Sequence, residues 1–180
     1  MKKALLSLGL LCGIMMSCVQ KTQIEPAIPY DVELEQKVEK TLKGMTLEEK
    51  IGQMTQLSLE VFGKRGTQED SFVFDEAKID TAIYKYKIGS ILNVPGVAVK
   101  PEKWFEIISE IQQKSMESMG IPCIYGLDMN HGASYVQGAT FFPQNINLAA
   151  TYNRDIARRA GEITAYETRA SNTPWTFCPV

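Results

Sequence analysis

The pattern of apolar and polar positions predicts two helices at the start of the folded part of the chain. Between residues 32 and 42, apolar side chains recur at every fourth position among Glu and Lys, and Gly44 follows where such an amphipathic helix would end. A second helix should begin at once. Thr46 and Glu49 form a capping box, in which each side chain pairs with an otherwise unpartnered amide at the helix start.

Further along, short apolar runs alternate with longer helical patterns. Strands are predicted at 53–59, 89–94, 121–127 and 175–180, and helices at 75–86, 101–119 and 153–170. Short, almost wholly apolar strands separated by crossovers of roughly 20 residues are typical of parallel strands buried on both faces. The sequence therefore predicts an α/β protein. In the 101–119 helix, Trp104 shares one face with three isoleucines, which predicts burial of that face against the sheet.

The number of strand and helix units bears on the architecture. Four such units are too few to close an eight-stranded (β/α)8 barrel, which takes about 250 residues. The last apolar run reaches the final residue, where a parallel strand would leave backbone groups unpaired. We therefore expect the N-terminal part of a TIM-like barrel, incomplete in this chain. A complete open-sheet domain of about 160 residues is the alternative that length allows.

The first residues predict an export signal. Lys2 and Lys3 precede an apolar run over 4–16. This run of about 13 residues is too short to span a bilayer, and it has the charged start and apolar middle of a secretory signal peptide. Residues 1–17 are therefore expected to be removed on export.

The end of this segment predicts a lipid anchor. Ser17 directly precedes Cys18, as in the lipobox at which bacterial lipoproteins are cut and acylated, although Met15 replaces the usual Leu. We expect lipidation of Cys18, followed by a polar linker over 18–31, so that the protein is tethered to a membrane without crossing it. This would make it a periplasmic or outer-membrane lipoprotein of a Gram-negative bacterium. Ordinary cleavage nearby and an uncleaved anchor are the alternatives.

Charge and composition exclude several classes of function. The 19 basic and 21 acidic residues are scattered, which argues against a nucleic-acid partner. Beyond the signal region, Cys123 and Cys178 lie in apolar runs and are expected to be buried structural thiols, with a disulfide or a reactive site as alternatives. With the single histidine, His131, they have no zinc-ligand spacing, so no metal and no cofactor is predicted. A Ser-His-Asp triad is unsupported because the Gly-x-Ser-x-Gly motif is absent.

Four blocks of sequence, in order, carry a family resemblance. They are MTLEEKIGQMTQ (45–56), GIPCIYGLDMNHG (120–132), GATFFPQNINLAATYN (138–153) and ARRAGEITAYETRASNTPWTFCPV (157–180). Together they resemble the N-terminal part of glycoside hydrolase family 3, β-glucosidase type, over most of residues 32–180. The resemblance implies a (β/α)8 first domain and a retaining mechanism with an aspartate nucleophile and a second carboxyl group. Both carboxylates follow the last block in the family's order, so no catalytic residue is assigned to this chain, which alone should be inactive.

Asp128 matches a sugar-binding position of the family. It follows the predicted 121–127 strand, so its carboxylate would lie at the C-terminal mouth of the barrel and could bind two sugar hydroxyls. Without the family it would be read as a loop aspartate that caps local amides. His131 falls where the family has a histidine beside the pocket, where it would orient the loop or contact the sugar.

Other residues that suggest chemistry have plainer interpretations. Phe141, Phe142 and Pro143 could form a sugar-stacking wall, but core packing at one end of the barrel is favoured. Glu167 and Arg169 are two residues apart and do not face each other on a helix, so each is expected to pair with another element.

The leading function is hydrolysis of terminal, non-reducing β-D-glucosyl residues from oligosaccharides or glycosides, with a β-glucoside as the binding partner. A β-xylosidase of the same family is one alternative. The other is a catalytically incomplete, lipid-anchored module that binds carbohydrate or another partner.

Overall fold

The computed structural model describes residues 29–64, 72–96 and 98–178. The predicted signal peptide (1–17), the lipidation site at Cys18 and most of the linker (18–31) lie outside the described residues. The chain divides after Lys43 into two compact units.

Helix α1, Val32–Gly44, belongs to the first unit except for its last residue, and it forms where apolar residues at every fourth position predicted it. Asp31 caps this helix, since its Oδ1 accepts hydrogen bonds from the amides of Glu33 at 2.9 Å and Leu34 at 3.1 Å. None of the residues of α1 is buried.

The second unit is built on four parallel strands. They are β1 (Gln56–Ser58), β2 (Ser90–Leu92), β3 (Ile124–Leu127) and β4 (Trp175–Thr176), and each pairs with the next along the chain. This sequential order is that of a (β/α)8 barrel, whereas a doubly wound sheet reverses its strand order at a switch point. The predicted α/β class with parallel strands is confirmed.

Helices precede and connect the strands. They are α2 (Leu47–Gln53), α3 (Glu76–Asp80, continued by a π-helical turn over Thr81–Lys85), α4 (Pro101–Met119), α5 (Asn145–Ala150) and α6 (Arg154–Ala170). The capping box of α2 is confirmed, with both hydrogen bonds between Thr46 and Glu49 present. Helix α4 matches its prediction at both ends, because Pro101 suits a first turn and Gly120 adopts the left-handed φ of +66° that ends a helix. Helix α5 was not predicted.

The strands are shorter than the apolar runs that predicted them. Gln53 belongs to the end of α2, and Leu59 begins a 3-10 helix, Leu59–Phe62. Leu59 and Phe62 are both buried in that helix. The apolar pattern therefore extends beyond the paired backbone of β1, because the 3-10 helix places these two side chains in the core.

Helix α4 supplies the centre of the core. Trp104 is fully buried, its indole nitrogen donates to the Tyr135 carbonyl at 2.9 Å, and its ring packs edge-on against Tyr125. Ile107, Ile108 and Ile111 are buried on the same face, as predicted. In the part of the chain that the structure describes, no helix has the length and apolar character to cross a membrane.

Candidate functional site

Asp128 lies at the carboxyl end of β3, where the sequence predicted it. The chain turns sharply there, because the Met129 amide donates to the Leu127 carbonyl at 3.1 Å and closes a three-residue turn. Leu127 and Met129 are buried on either side of this turn, whereas Asp128 at its apex is exposed. The turn therefore anchors two apolar neighbours in the core and leaves the carboxylate at the surface.

Polar side chains also lie at the carboxyl ends of β1 and β2, at the same edge of the sheet. Asn93 has a left-handed φ of +71°, and its amide donates to the Ser58 hydroxyl at 3.2 Å. Its backbone carbonyl accepts a hydrogen bond from the Tyr125 hydroxyl at 2.6 Å. Sequence reasoning missed Asn93 because it fell inside the predicted 89–94 strand, which ends at Leu92.

Cys178 and Asn130 extend this edge beside Asp128. The Cys178 thiol donates to Asn130 Oδ1 at 3.0 Å. Burial raises the pKa of the Cys178 thiol, and the nearby negative charge of Asp128 raises the same pKa further. The expectation of a buried structural thiol is wrong for Cys178, which is half-buried, because the backbone following β4 directs its side chain to the sheet edge. It is confirmed for Cys123, and both thiols are free.

His131 lies in the loop that follows Asp128. The side chain is half-buried, and its Nδ1 atom is buried without a hydrogen-bond partner among the described residues. Its ring centroid is 5.7 Å from that of Phe141, and its backbone carbonyl accepts the Phe142 amide at 2.8 Å. These contacts hold the histidine within the loop.

The aromatic pair of this loop does not form the core packing that the sequence favoured. Phe141 is 74% exposed, Phe142 is half-buried and Pro143 is exposed. The reason is that Phe141 packs against the His131 ring at the surface, while Phe142 turns towards Gly132.

Glu167 of helix α6 reaches this loop, as expected of a residue that pairs with another element. Its Oε2 accepts from the Thr140 amide and its Oε1 accepts from the Thr140 hydroxyl, each at 2.9 Å. Arg169, two residues later, is exposed. The structure thus brings Glu167 to the loop and leaves the Glu167–Arg169 pair without a joint role.

A groove of about 520 Å³ opens elsewhere on the second unit. Its lining includes Thr55 and Ile88, which precede β1 and β2, so it lies at the opposite edge of the sheet from Asp128. Active sites of parallel barrels form at the carboxyl edge of the strands. The edge with Asp128 is therefore the candidate site.

The chemistry available at the carboxyl edge is hydrogen bonding to hydroxyl groups. Asp128 and Asn130 offer acceptors, and the amides of Asn93 and Asn130 offer donors. Within residues 29–64, 72–96 and 98–178, no group of three or more His, Cys, Asp and Glu side chains could hold a metal ion.

Comparisons with known proteins identify the family of the chain. The family model of the glycosyl hydrolase family 3 N terminal domain matches residues 46–180. A lysosomal beta glucosidase from Dictyostelium discoideum is 39% identical over 153 residues, which cover 79% of this chain and 18% of that protein. A periplasmic beta-glucosidase from Salmonella typhimurium is 27% identical over 139 residues, covering 77% of this chain and 15% of that protein.

A solved structure agrees in both fold and sequence. The exo-1,3/1,4-beta-glucanase from a Pseudoalteromonas species superposes with a TM-score of 0.70 at 30% identity, over 84% of this chain and 18% of that chain. The chain thus spans less than a fifth of the length of these three relatives. From the family match over residues 46–180, this chain belongs to glycosyl hydrolase family 3, of whose N-terminal domain it contains the matched part.

Proposed function

We propose that this chain is the sugar-binding N-terminal part of a β-glucosidase that removes terminal, non-reducing β-D-glucosyl residues by a retaining mechanism. The single observation that carries the proposal is the exposed carboxylate of Asp128 at the carboxyl edge of a parallel sheet in a family 3 chain. The names of the relatives, two beta-glucosidases and a beta-glucanase, support a β-glucoside as substrate.

Asp128 would hold the glucosyl unit that is transferred. An ionised carboxylate has two oxygens and accepts hydrogen bonds only, so it can bind two neighbouring sugar hydroxyls at once. Such bonds are about twice as strong as those between neutral groups. The turn at Leu127 and Met129 supports this role, because it anchors the residue in the core and leaves the charged group accessible.

The reaction itself would use carboxylates that lie beyond residue 180. In a retaining glycosidase one carboxylate attacks the anomeric carbon while a second carboxyl group protonates the departing glycosidic oxygen, which gives a glycosyl-enzyme. The second group, now ionised, then takes a proton from the water that hydrolyses the glycosyl-enzyme and releases the sugar. In this proposal the 180-residue chain binds the sugar but does not turn it over. His131 would orient the Asp128 loop, a role supported by its buried Nδ1 and its contacts with Phe141 and Phe142.

The test is Asp128→Asn in the full-length gene product, assayed with chromogenic β-glucosides. Loss of the charged hydrogen bonds should weaken transition-state stabilisation by about 2–4 kcal/mol, which lowers kcat/KM by about 30-fold or more. Asp155→Asn is the matched control, because Asp155 is an exposed aspartate in the first turn of α6.

Three outcomes of this assay would contradict the proposal. An unchanged kcat/KM for Asp128→Asn removes Asp128 from the site. A wild-type enzyme that cleaves β-xylosides in preference to β-glucosides replaces the proposed substrate. Turnover by the 180-residue chain alone at the rate of the full-length protein refutes the location of the catalytic carboxylates.

We further propose that the protein is exported and anchored through Cys18, as a lipoprotein of the periplasm or the outer membrane. The support is the charged and apolar signal over residues 1–17 and the small residue before Cys18. Cells labelled with a radioactive fatty acid should yield a labelled wild-type protein and an unlabelled Cys18→Ser variant. Equal label in both would exclude this anchor.

A further inference from the structure

The loop between Asp128 and helix α5 is fixed at Thr140 by a carboxylate from a distant part of the chain. Glu167, half-buried near the end of α6, accepts two hydrogen bonds from Thr140, one from its amide and one from its hydroxyl, each at 2.9 Å. A carboxylate that accepts two hydrogen bonds fixes both the position and the orientation of its partner. The backbone at residue 140 is therefore fixed to a helix that begins 14 residues later.

Thr140 is in turn in contact with the residues that follow Asp128. The Thr140 carbonyl oxygen lies against Gly132, where an added Cβ would be only 2.2 Å from it. Two residues after Thr140, the Phe142 amide donates to the His131 carbonyl at 2.8 Å. Residues 140–142, which Glu167 holds through Thr140, are thus in contact with residues 131 and 132.

Residue 131, where the 131–142 loop begins, is only three residues after Asp128. Asp128 itself is at the apex of the turn closed by Met129 and Leu127, and the Leu127 carbonyl also accepts the Phe177 amide at 3.0 Å. The sheet fixes the near side of Asp128. The far side is held by the buried side chain of Met129, by the Asn130–Cys178 hydrogen bond and by the 131–142 loop. We propose that Glu167 is a positioning residue, which acts through Thr140 to hold the Asp128 turn in the orientation that binds the sugar.

The structure also distinguishes Glu167 from its neighbours on the helix. Glu162 is exposed and pairs with Arg159 of its own helix at 3.3 Å. Glu162 thus offers a change of the same side chain on the same helix that leaves the loop contact intact. The catalytic role of Glu167 rests on the proposed function, but its contact with Thr140 can be tested independently of that function.

The first measurement is residue-resolved amide hydrogen exchange on the unliganded full-length protein. In Glu167→Ala, exchange at Thr140 and at Met129 should be faster by about tenfold or more, because two charge-assisted hydrogen bonds are lost. Glu167→Gln should stay within about threefold of wild type, since its amide can accept from the Thr140 N–H and donate to the Thr140 hydroxyl. Glu162→Ala should match wild type.

The second measurement is a double-mutant cycle on kcat/KM with a chromogenic β-glucoside. Glu167→Ala should lower kcat/KM by about tenfold in the wild-type background and by less than about twofold in Asp128→Asn, because a residue that acts through Asp128 has nothing left to position. Equal losses in both backgrounds, or unchanged exchange at Met129 in Glu167→Ala, overturn the proposal. If the wild-type protein turns over no β-glucoside, the proposed function fails, and the Met129 exchange alone decides whether Glu167 holds the turn.

Discussion

The two free cysteines of the described residues differ in their surroundings although both come from apolar runs. Cys123 is buried at the start of β3, and this burial raises the pKa of its thiol to about 12. Cys178 is half-buried, and burial followed by the charge of Asp128 raises its pKa. Since the thiolate is the reactive form, a raised pKa slows reaction at neutral pH, and accessibility then separates the two residues.

We predict that a thiol reagent at pH 8 modifies Cys178 faster than Cys123 by at least about 100-fold. Asp128→Asn removes the adjacent negative charge, which lowers the Cys178 pKa, enlarges its thiolate fraction and should speed its labelling about threefold. Labelling is followed by mass spectrometry in a Cys12→Ser, Cys18→Ser background, with Asp155→Asn as control. A slower reaction in Asp128→Asn would show that the carboxylate does not face this thiol.

At the scale of elements, helix α2 and the turn before β2 meet backbone to backbone. The Gly89 amide donates to the Gly52 carbonyl at 3.0 Å, and an added Cβ on Gly52 would lie 2.1 Å from the Tyr86 carbonyl oxygen. By contrast, Gly161 lies exposed inside α6, and apart from the backbone of its own helix no described atom is within 4 Å of such a Cβ. The same substitution therefore meets opposite conditions at the two sites.

Gly52→Ala should lower the free energy of unfolding by about 2–3 kcal/mol, because backbone atoms must move to admit the methyl group. Gly161→Ala should raise the free energy of unfolding by about 0.5–1 kcal/mol, since alanine loses less backbone entropy than glycine in a helix. Both changes are measured by urea denaturation monitored by circular dichroism. A loss of stability in Gly161→Ala would mean that the exposed face of α6 is in contact with other polypeptide.

At the scale of the whole molecule, Trp104 of helix α4 contacts both strand β3 and the loop that follows Asp128. Its ring packs on Tyr125 of β3, its helix α4 covers the sheet, and its indole nitrogen binds the carbonyl of Tyr135 in the loop after Asp128. The core thus reaches the loop directly. A change in the core should therefore affect global stability and the loop together.

Trp104→Phe should lower the free energy of unfolding by about 2–3 kcal/mol, through a lost hydrogen bond and unfilled volume. Urea denaturation measures this change, and faster hydrogen exchange at Gln137, whose amide donates to the Val99 carbonyl beside Tyr135, reports the loop. Trp175→Phe is the control, because Trp175 is 44% exposed. Equal effects of the two substitutions would contradict the central place of Trp104.

What the sequence determined by itself was local. The capping box at Thr46, the proline and glycine that bound α4, and the apolar runs that mark parallel strands act within a few residues, so the pattern alone predicts them. The position of Asp128 after β3 belongs here too, since a residue that follows a buried strand lies at the sheet edge whatever surrounds it.

The tertiary structure alone decided the features that depend on distant partners. Strand length is one, because a strand extends only as far as its neighbour pairs with it, and β1 therefore has three residues where the predicted strand had seven. The half-buried position of Cys178, the surface position of Phe141 and the contact between Glu167 and Thr140, 27 residues apart, are others. The pattern of polar and apolar residues along a chain indicates which side chains avoid water. Which particular groups come into contact depends on how the elements pack.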